Sequence, residues 1–446
     1  MTSTASTLWR DLTLVPMDGP SAAPCGQVQR ADLRIEGDRI AAIGALEPRS
    51  GETLRDGRHL VAIPGFVQGH LHFCQTLFRG LADDLPLMEW LRTRIWPLEA
   101  AHDAESVRVS AELTLCELLR GGTTSAQSME TVHHTEQTFA VCEAAGFSLI
   151  AGNCLMDQRD DGVPPGLVTG PDEALRISAE LRRDWHGRGR LQYAVSPRFV
   201  LSCSDRLARE AAVFAQQHAL RVHTHACEHR GEIGLVRARF GRGYLDVLRD
   251  QGLLGPRTGL AHCVHVDDAG RALLVEHQVA VLHCPSANLK LGSGVAPVAD
   301  YARRGLRIAL GADGAPCNNR LSALTEMRQA ALLQAMHSGP GAWTAQHALH
   351  AATRGGAEAL GLPDVGRIAP GLRADLVLFD LRDPRLGVGA DPIGTLVFAA
   401  QEEHIDTVVL GGREVVRAGQ LVDVDRDALA ACARTHAQRC RVRAGC

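Results

Sequence analysis

Between residues 65 and 365 the sequence alternates short apolar runs with amphipathic stretches, and this alternation constrains the fold more than any other feature. Phe66–His72, Thr123–Met129, Phe147–Met156, Leu191–Val200, Leu220–Ala226, Thr258–His265, Val279–Cys284 and Leu306–Gly311 read as strands. Ala104–Arg120, Arg206–His218, Asp267–His277 and Val298–Arg304, lying between them, carry apolar residues at helical spacing. Eight strand-then-helix units in one stretch of this length predict an α/β fold, the (β/α)8 TIM barrel. A doubly wound open sheet is the alternative, and no G-x-G-x-x-G fingerprint supports it.

The two ends read differently. Trp9–Val15, Ala31–Glu36, Ile40–Ile43 and Leu60–Ile63 are short strand patterns divided by glycine and proline clusters. Ala374–Asp380, Ile405–Leu410 and Glu414–Val416 repeat the pattern near the other end, with Gly411-Gly412 as a turn and a closing helix over Arg426–Arg441. The expected organisation is a discontinuous β-sandwich domain from 1–64 and 366–446, around a barrel from 65–365. A chain of 446 residues is long enough for both.

Composition narrows the partners. A formal charge of -4 gives no reason to expect nucleic acid or an anionic membrane. No run approaches eighteen apolar residues, and the polar stretch Met1–Arg10 lacks a signal-peptide pattern, so a cytoplasmic protein with no membrane contact is expected. The 13 cysteines form no C-x-x-C pair; Cys142, Cys263 and Cys284 sit in apolar runs and read as small buried hydrophobes. Lys290 is the only lysine, which excludes a Walker-type phosphate loop.

Placing the strands exposes a pattern that the placement did not assume. His70 and His72 end the first strand, His225 ends the fifth with Glu228 after it, His262 lies in the sixth, and Asp313 follows the eighth. All fall at carboxyl ends of strands, where such barrels carry their chemistry. Residues i and i+2 of a strand face the same side, so His70 and His72 can converge on one ion. Any one of these histidines alone reads as a core or surface residue, as His218, His277, His347 and His350 do. Three imidazoles and a carboxylate together suit zinc, with iron or manganese as alternatives. A second ion would need a bridging carboxylated lysine from the fourth strand, and Lys290 lies beyond the seventh; one metal ion is expected.

These residues resemble the amidohydrolase superfamily, in the branch of aminohydrolases that act on heterocyclic rings. The likeness runs through Pro64-Gly65-Phe66 into His70-x-His72, then His225-Ala226-Cys227-Glu228, Ala261-His262-Cys263, Asn288-Leu289-Lys290-Leu291 and Gly311-Ala312-Asp313-Gly314, and ends in Gly371-Leu372-Arg373-Ala374-Asp375-Leu376-Val377. It implies that His70, His72, His225 and Asp313 ligate the metal. It implies that Glu228 shuttles a proton to a ring nitrogen and that His262 hydrogen-bonds the attacking oxygen or the developing tetrahedral centre. It also implies a homodimer and a small heterocyclic substrate.

The resemblance divides over the ring. Residues 78–99, with Gly314–Asn319 and Glu326-Met327-Arg328, resemble deaminases of 5′-methylthioadenosine, S-adenosylhomocysteine and 5′-deoxyadenosine, in which the glutamate matching Glu99 holds the ribose hydroxyls. Gln75 and the pair Arg198-Phe199 resemble guanine deaminase, where such groups grip an oxo-amino edge; Gln75 also occurs in triazine hydrolases. Gly152–Met156 lacks the arginine expected for an amino-acid carboxylate, which disfavours S-adenosylhomocysteine. The reading is hydrolytic deamination of a 6-aminopurine nucleoside such as 5′-deoxyadenosine or 5′-methylthioadenosine. Guanine, 8-oxoguanine, a pterin or an s-triazine is the alternative ring. A cytidine-type deaminase is set aside because His134-x-Glu136 has no P-C-x-x-C after it. An inactive scaffold of the same fold is disfavoured because all six chemical positions are filled.

Overall fold

A computed structural model describes residues 6–159, 162–386 and 391–445. The chain divides into two compact units, one comprising Met1–Gln68, Cys116–Ser125 and Ser322–Val424, the other Gly69–Leu115, Ala126–Leu321 and Asp425–Cys446.

The first unit is built on a nine-stranded mixed sheet drawn from both ends of the chain. Its order is Gln420–Leu421, Arg413–Arg417, Ile405–Leu410, Leu376–Asp380, Leu60–Pro64, Ser6–Leu14, Gln29–Glu36 and Arg39–Gly44, with Thr53–Asp56 pairing onto Ser6–Leu14. The termini meet where Leu376–Asp380 runs antiparallel to Leu60–Pro64, in the register Leu378 to Ala62. Alternation then sends Leu376, Leu378, Leu60 and Ala62 into one buried cluster with Trp9, Leu12, Leu33 and Ile35. The helices Ala323–Ser338, Ala345–Ala351 and Arg354–Leu360 also fall in this unit's residue ranges.

The second sheet is the barrel. Its strands are β1 (Phe66–Leu71), β2 (Thr123–Met129), β3 (Ser148–Gly152), β4 (Leu191–Pro197), β5 (Arg221–Ala226), β6 (Thr258–His262), β7 (Ala280–His283) and β8 (Arg307–Leu310). They lie in sequence order, parallel wherever register is defined from β3 to β8, and the isolated parallel bridge Leu71–Asp313 joins the two ends. The (β/α)8 fold and the β domain made from both termini are therefore as the sequence indicates. Helix Ala104–Arg120 has the predicted limits. The third strand is broken at Asn153, with Cys154–Leu155 as a separate two-residue strand. The sixth stops three residues early, because His262 and Cys263 take φ values of +73° and +48°. The closing helix, Arg426–Ala444, packs Ala433 and Cys440 against Leu77, Phe78, Leu98 and Val109 of the second unit. Among the described residues, no helix is long and apolar enough to cross a membrane, and 12 cysteines are free thiols, ten of them buried.

Candidate active site

The carboxyl ends of β1, β5, β6 and β8 converge. Ligand atoms of His70, His72, His225 and Asp313 all lie within 4.8 Å of one another. His70 Nε2 and His72 Nε2 each stand 3.2 Å from Asp313 Oδ1. The backbone places these groups at some cost: Asp313, His262 and Cys227 have φ of +62°, +73° and +54°, a left-handed region worth about 1–3 kcal/mol of strain each for non-glycine residues. Hydrogen bonds hold it in place, from Asp313 N to His70 O and from Cys263 N to Ala226 O, both 3.0 Å.

Tautomers decide what the cluster can bind. His72 Nδ1 lies 2.7 Å from the Met129 carbonyl, and His225 Nδ1 lies 2.7 Å from the Arg198 carbonyl. A carbonyl only accepts, so both Nδ1 atoms carry the proton and both Nε2 atoms present lone pairs. Those two Nε2 atoms face each other at 3.3 Å, a contact between acceptors that a cation between them would relieve. His70 Nε2 is fully buried with no hydrogen bond. Three imidazole nitrogens aimed together with one carboxylate fit zinc, with a coordination position to spare. Lys290 is elsewhere: its Nζ donates to Pro316 O at 2.9 Å, to Asn319 Oδ1 at 2.6 Å and to Asp83.

Around the cluster the charges are set by burial. Glu228 is 4% exposed, and burial, with the Asp313 charge second, pushes its carboxyl up to about 8. Burial opposes ionisation of Asp313, and its Oδ1 faces the Nε2 atoms of His70 and His72 at 3.2 Å, where a cation would stabilise the carboxylate. His262 Nδ1 lies 2.8 Å from Asn288 Oδ1, which leaves its Nε2 as the free nitrogen, 3.4 Å from Glu228 Oε2 and 3.9 Å from Asp313 Oδ2. Burial lowers the His262 pKa, so the ring is neutral at pH 7 and Nε2 carries a lone pair.

A cavity opens beside these groups. Its lining includes His72, His225, Glu228, His262 and Asp313, and also Gln75, Arg198 and Phe199. Glu99 is not part of that lining. It lies 3% exposed and accepts Gln75 Nε2 at 2.8 Å and Arg198 Nη1 at 2.5 Å. Burial alone would raise the Glu99 pKa, but the Arg198 guanidinium lowers it below its ordinary value. Gln75 Oε1 has no partner and fits only because position 314 is glycine, where a Cβ would come within 2.0 Å of it.

Sequence reasoning missed the apolar wall. Leu87, Trp90, Leu91 and Leu291 line the cavity, and Trp90 Nε1 is buried without a hydrogen bond. The wall enters on the short helix Leu87–Trp90 and the π-helical turn Leu91–Ile95, a form that recurs at functional sites. It also missed Glu232, another cavity residue, whose Oε2 accepts the Glu228 amide at 3.1 Å. The spacing from Glu228 to Glu232, one helical turn, was the available signal.

With this geometry, the chain's relatives carry specific meaning. Residues 61–415 match the amidohydrolase family. The 5'-deoxyadenosine deaminase of Methanothermobacter thermautotrophicus is 37% identical over 407 residues, 90% of this chain and 93% of that protein. The 5-methylthioadenosine/S-adenosylhomocysteine deaminase of Pelotomaculum thermopropionicum is 34% identical over 443 residues, 98% of this chain and 99% of that one. The crystal structure of a zinc-bound adenosine deaminase from Xanthomonas campestris superposes with a TM-score of 0.90 at 30% identity, covering 98% of this chain and 99% of that one. The chain belongs to the amidohydrolase family.

Proposed function

We propose that this protein is a zinc-dependent deaminase that hydrolyses an aminated purine, a 6-aminopurine nucleoside with an uncharged 5′ group such as 5′-deoxyadenosine or 5′-methylthioadenosine. The observation that carries the reading is a buried Glu228 that lines, with His72, His225 and Asp313 of the metal-ligand cluster, a cavity with apolar walls. The deaminase relatives at 34–37% identity support the ring.

Zinc, when bound by those four residues, supplies the Lewis acidity that brings the pKa of water towards neutrality. The rest is the work of side chains. Glu228 donates its proton to the ring nitrogen beside the attacked carbon, which makes that carbon electrophilic. His262 accepts a hydrogen bond at Nε2 from the attacking oxygen, since its Nδ1–H donates to Asn288 Oδ1. Asp313 receives one proton from the water and passes it to the amine, which leaves as ammonia; the hydroxyl proton on the tetrahedral carbon returns to Glu228 as the carbonyl forms, so the atoms balance. Leu87, Trp90, Leu91 and Phe199 exclude bulk water and pack the ring and its substituent.

An ammonia-release screen over 5′-deoxyadenosine, methylthioadenosine, adenosine, guanine, 8-oxoguanine, pterins and triazines tests the reading. The 5′-deoxy and methylthio nucleosides are expected to give the highest kcat/KM. No turnover of any aminated ring would overturn it. A second reading, an oxopurine substrate, is favoured by Gln75 and Arg198 both lining the cavity, with Gln75 Oε1 unpartnered. Arg198→His separates the two: if Arg198 reads an oxo edge, the variant loses guanine turnover relative to adenosine analogues. An unchanged ranking removes Arg198 from recognition.

A further inference from the structure

His223 lies two residues before His225 on β5, the same H-x-H spacing as His70 and His72 on β1, so the paired side chains leave each strand on one face. His223 and His70 are both 0% exposed. His70 Nδ1 stands 2.7 Å from His223 Nε2, with the rings at 84°.

A hydrogen bond between two neutral imidazole nitrogens needs one donor and one acceptor, so only two arrangements satisfy this contact. In the first, His70 donates from Nδ1 and keeps a lone pair on Nε2, the nitrogen that faces Asp313. In the second, His223 donates, the His70 proton moves to Nε2, and that nitrogen has nothing to offer a metal. His72 and His225 have no such freedom, because backbone carbonyls fix their Nδ1 atoms as donors. Only His70 among the three is oriented by a partner that can itself exchange tautomers.

We propose that His223 is a positioning residue that holds His70 in its metal-ligating tautomer by accepting the Nδ1 proton. In that state the proton of His223 sits on its own Nδ1. A metal takes only the form of His70 with a lone pair on Nε2, so the tautomer of the pair and the occupancy of the site are coupled. Partners of this kind, bound to a ligand rather than to the metal, commonly govern metal affinity. The inference rests on His70, His72, His225 and Asp313 being metal ligands.

The test is zinc affinity of the full chain, measured by competition with a chelator for wild type, His223→Leu and His223→Gln. The leucine variant removes the acceptor and should bind zinc about 10–100-fold more weakly. The glutamine variant offers an amide oxygen and should stay within about threefold of wild type. Wild-type affinity in His223→Leu, or equal weakening in both variants, overturns the proposal. Should the leucine variant not fold, long-range 1H–15N correlation of zinc-loaded, 15N-histidine-labelled wild type decides it. A protonated Nδ1 with a liganded Nε2, perturbed by His223→Gln, is expected for His70; a protonated Nε2 overturns the idea. Failure of the ligand reading is distinguishable, since the wild-type chain would then hold no stoichiometric zinc.

Discussion

At the scale of single residues, Glu228 carries the strongest prediction. Its carboxyl is pushed up to about 8 because burial disfavours the charged form and Asp313 adds a like charge. As the acid in the proposed reaction it must be protonated, so kcat/KM should fall as pH rises through about 8. Glu228→Gln keeps the shape and removes the shuttle; it should retain zinc and lose about 10²–10⁴-fold in kcat. Near-normal turnover in that variant would contradict the assigned role. Glu99 offers a different measurement. With Arg198 buried against it, Glu99→Gln leaves a cation without its counter-charge and should cost about 3–5 kcal/mol in denaturant unfolding. A loss below about 1 kcal/mol would mean that water reaches the pair and screens it.

At the scale of elements, the site is made by what happens just after each strand ends. His72 follows β1, Asp313 lies three residues after β8, and Glu228 lies two after β5. Lys290, at the end of helix Pro285–Lys290, ties together three such segments through Asp83, Pro316 and Asn319. Asp83 is on the segment that carries Trp90, Lys290 is on the one that carries Asn288, and Pro316 and Asn319 are on the one that carries Asp313. Lys290→Met should therefore leave zinc content intact yet lower kcat/KM about ten- to hundredfold, the scale of a small misplacement of reacting groups. Unchanged kinetics would show that the segments are held without it. Period-two spacing made His70 and His72 legible in sequence, since it depends only on local backbone geometry. The Arg198–Glu99 pair was not legible as a pair, because 99 residues separate its members. Trp90 and Leu91 fell within the 78–99 stretch without being singled out, since nothing local distinguishes an apolar side chain that packs a core from one that walls a cavity.

At the scale of the whole molecule, each unit has its own lever on stability. In the first, Arg34 and the covered side chain of Glu52 pair at 2.6 Å, and that hydrogen bond pulls Glu52 from 4.5 down to about 2. A native pKa below the unfolded one gives stability that is full above about 4.5 and lost as pH falls towards about 2. Urea midpoints followed from about pH 5 to 2 should fall more steeply for wild type than for Arg34→Met. Parallel curves would exclude the pair as a source of acid lability. In the second unit, zinc that binds only the folded site adds about 2.7 kcal/mol at a hundredfold excess over Kd. Chelation should accordingly lower Tm, and zinc should restore it, more than magnesium does.

Sequence by itself determined the barrel, the β domain drawn from both ends, and which histidines and aspartate converge at the strand ends. Those follow from periodicity and from the rule that parallel barrels place chemistry at strand ends. Only the tertiary structure decided which nitrogen of each histidine is free, that burial raises the Glu228 carboxyl, and that Glu99 holds Arg198 and Gln75. The reason is physical. Tautomers and proton affinities depend on which distant carbonyl, charge or apolar wall folding brings within a few ångströms, and no local pattern in the chain encodes that.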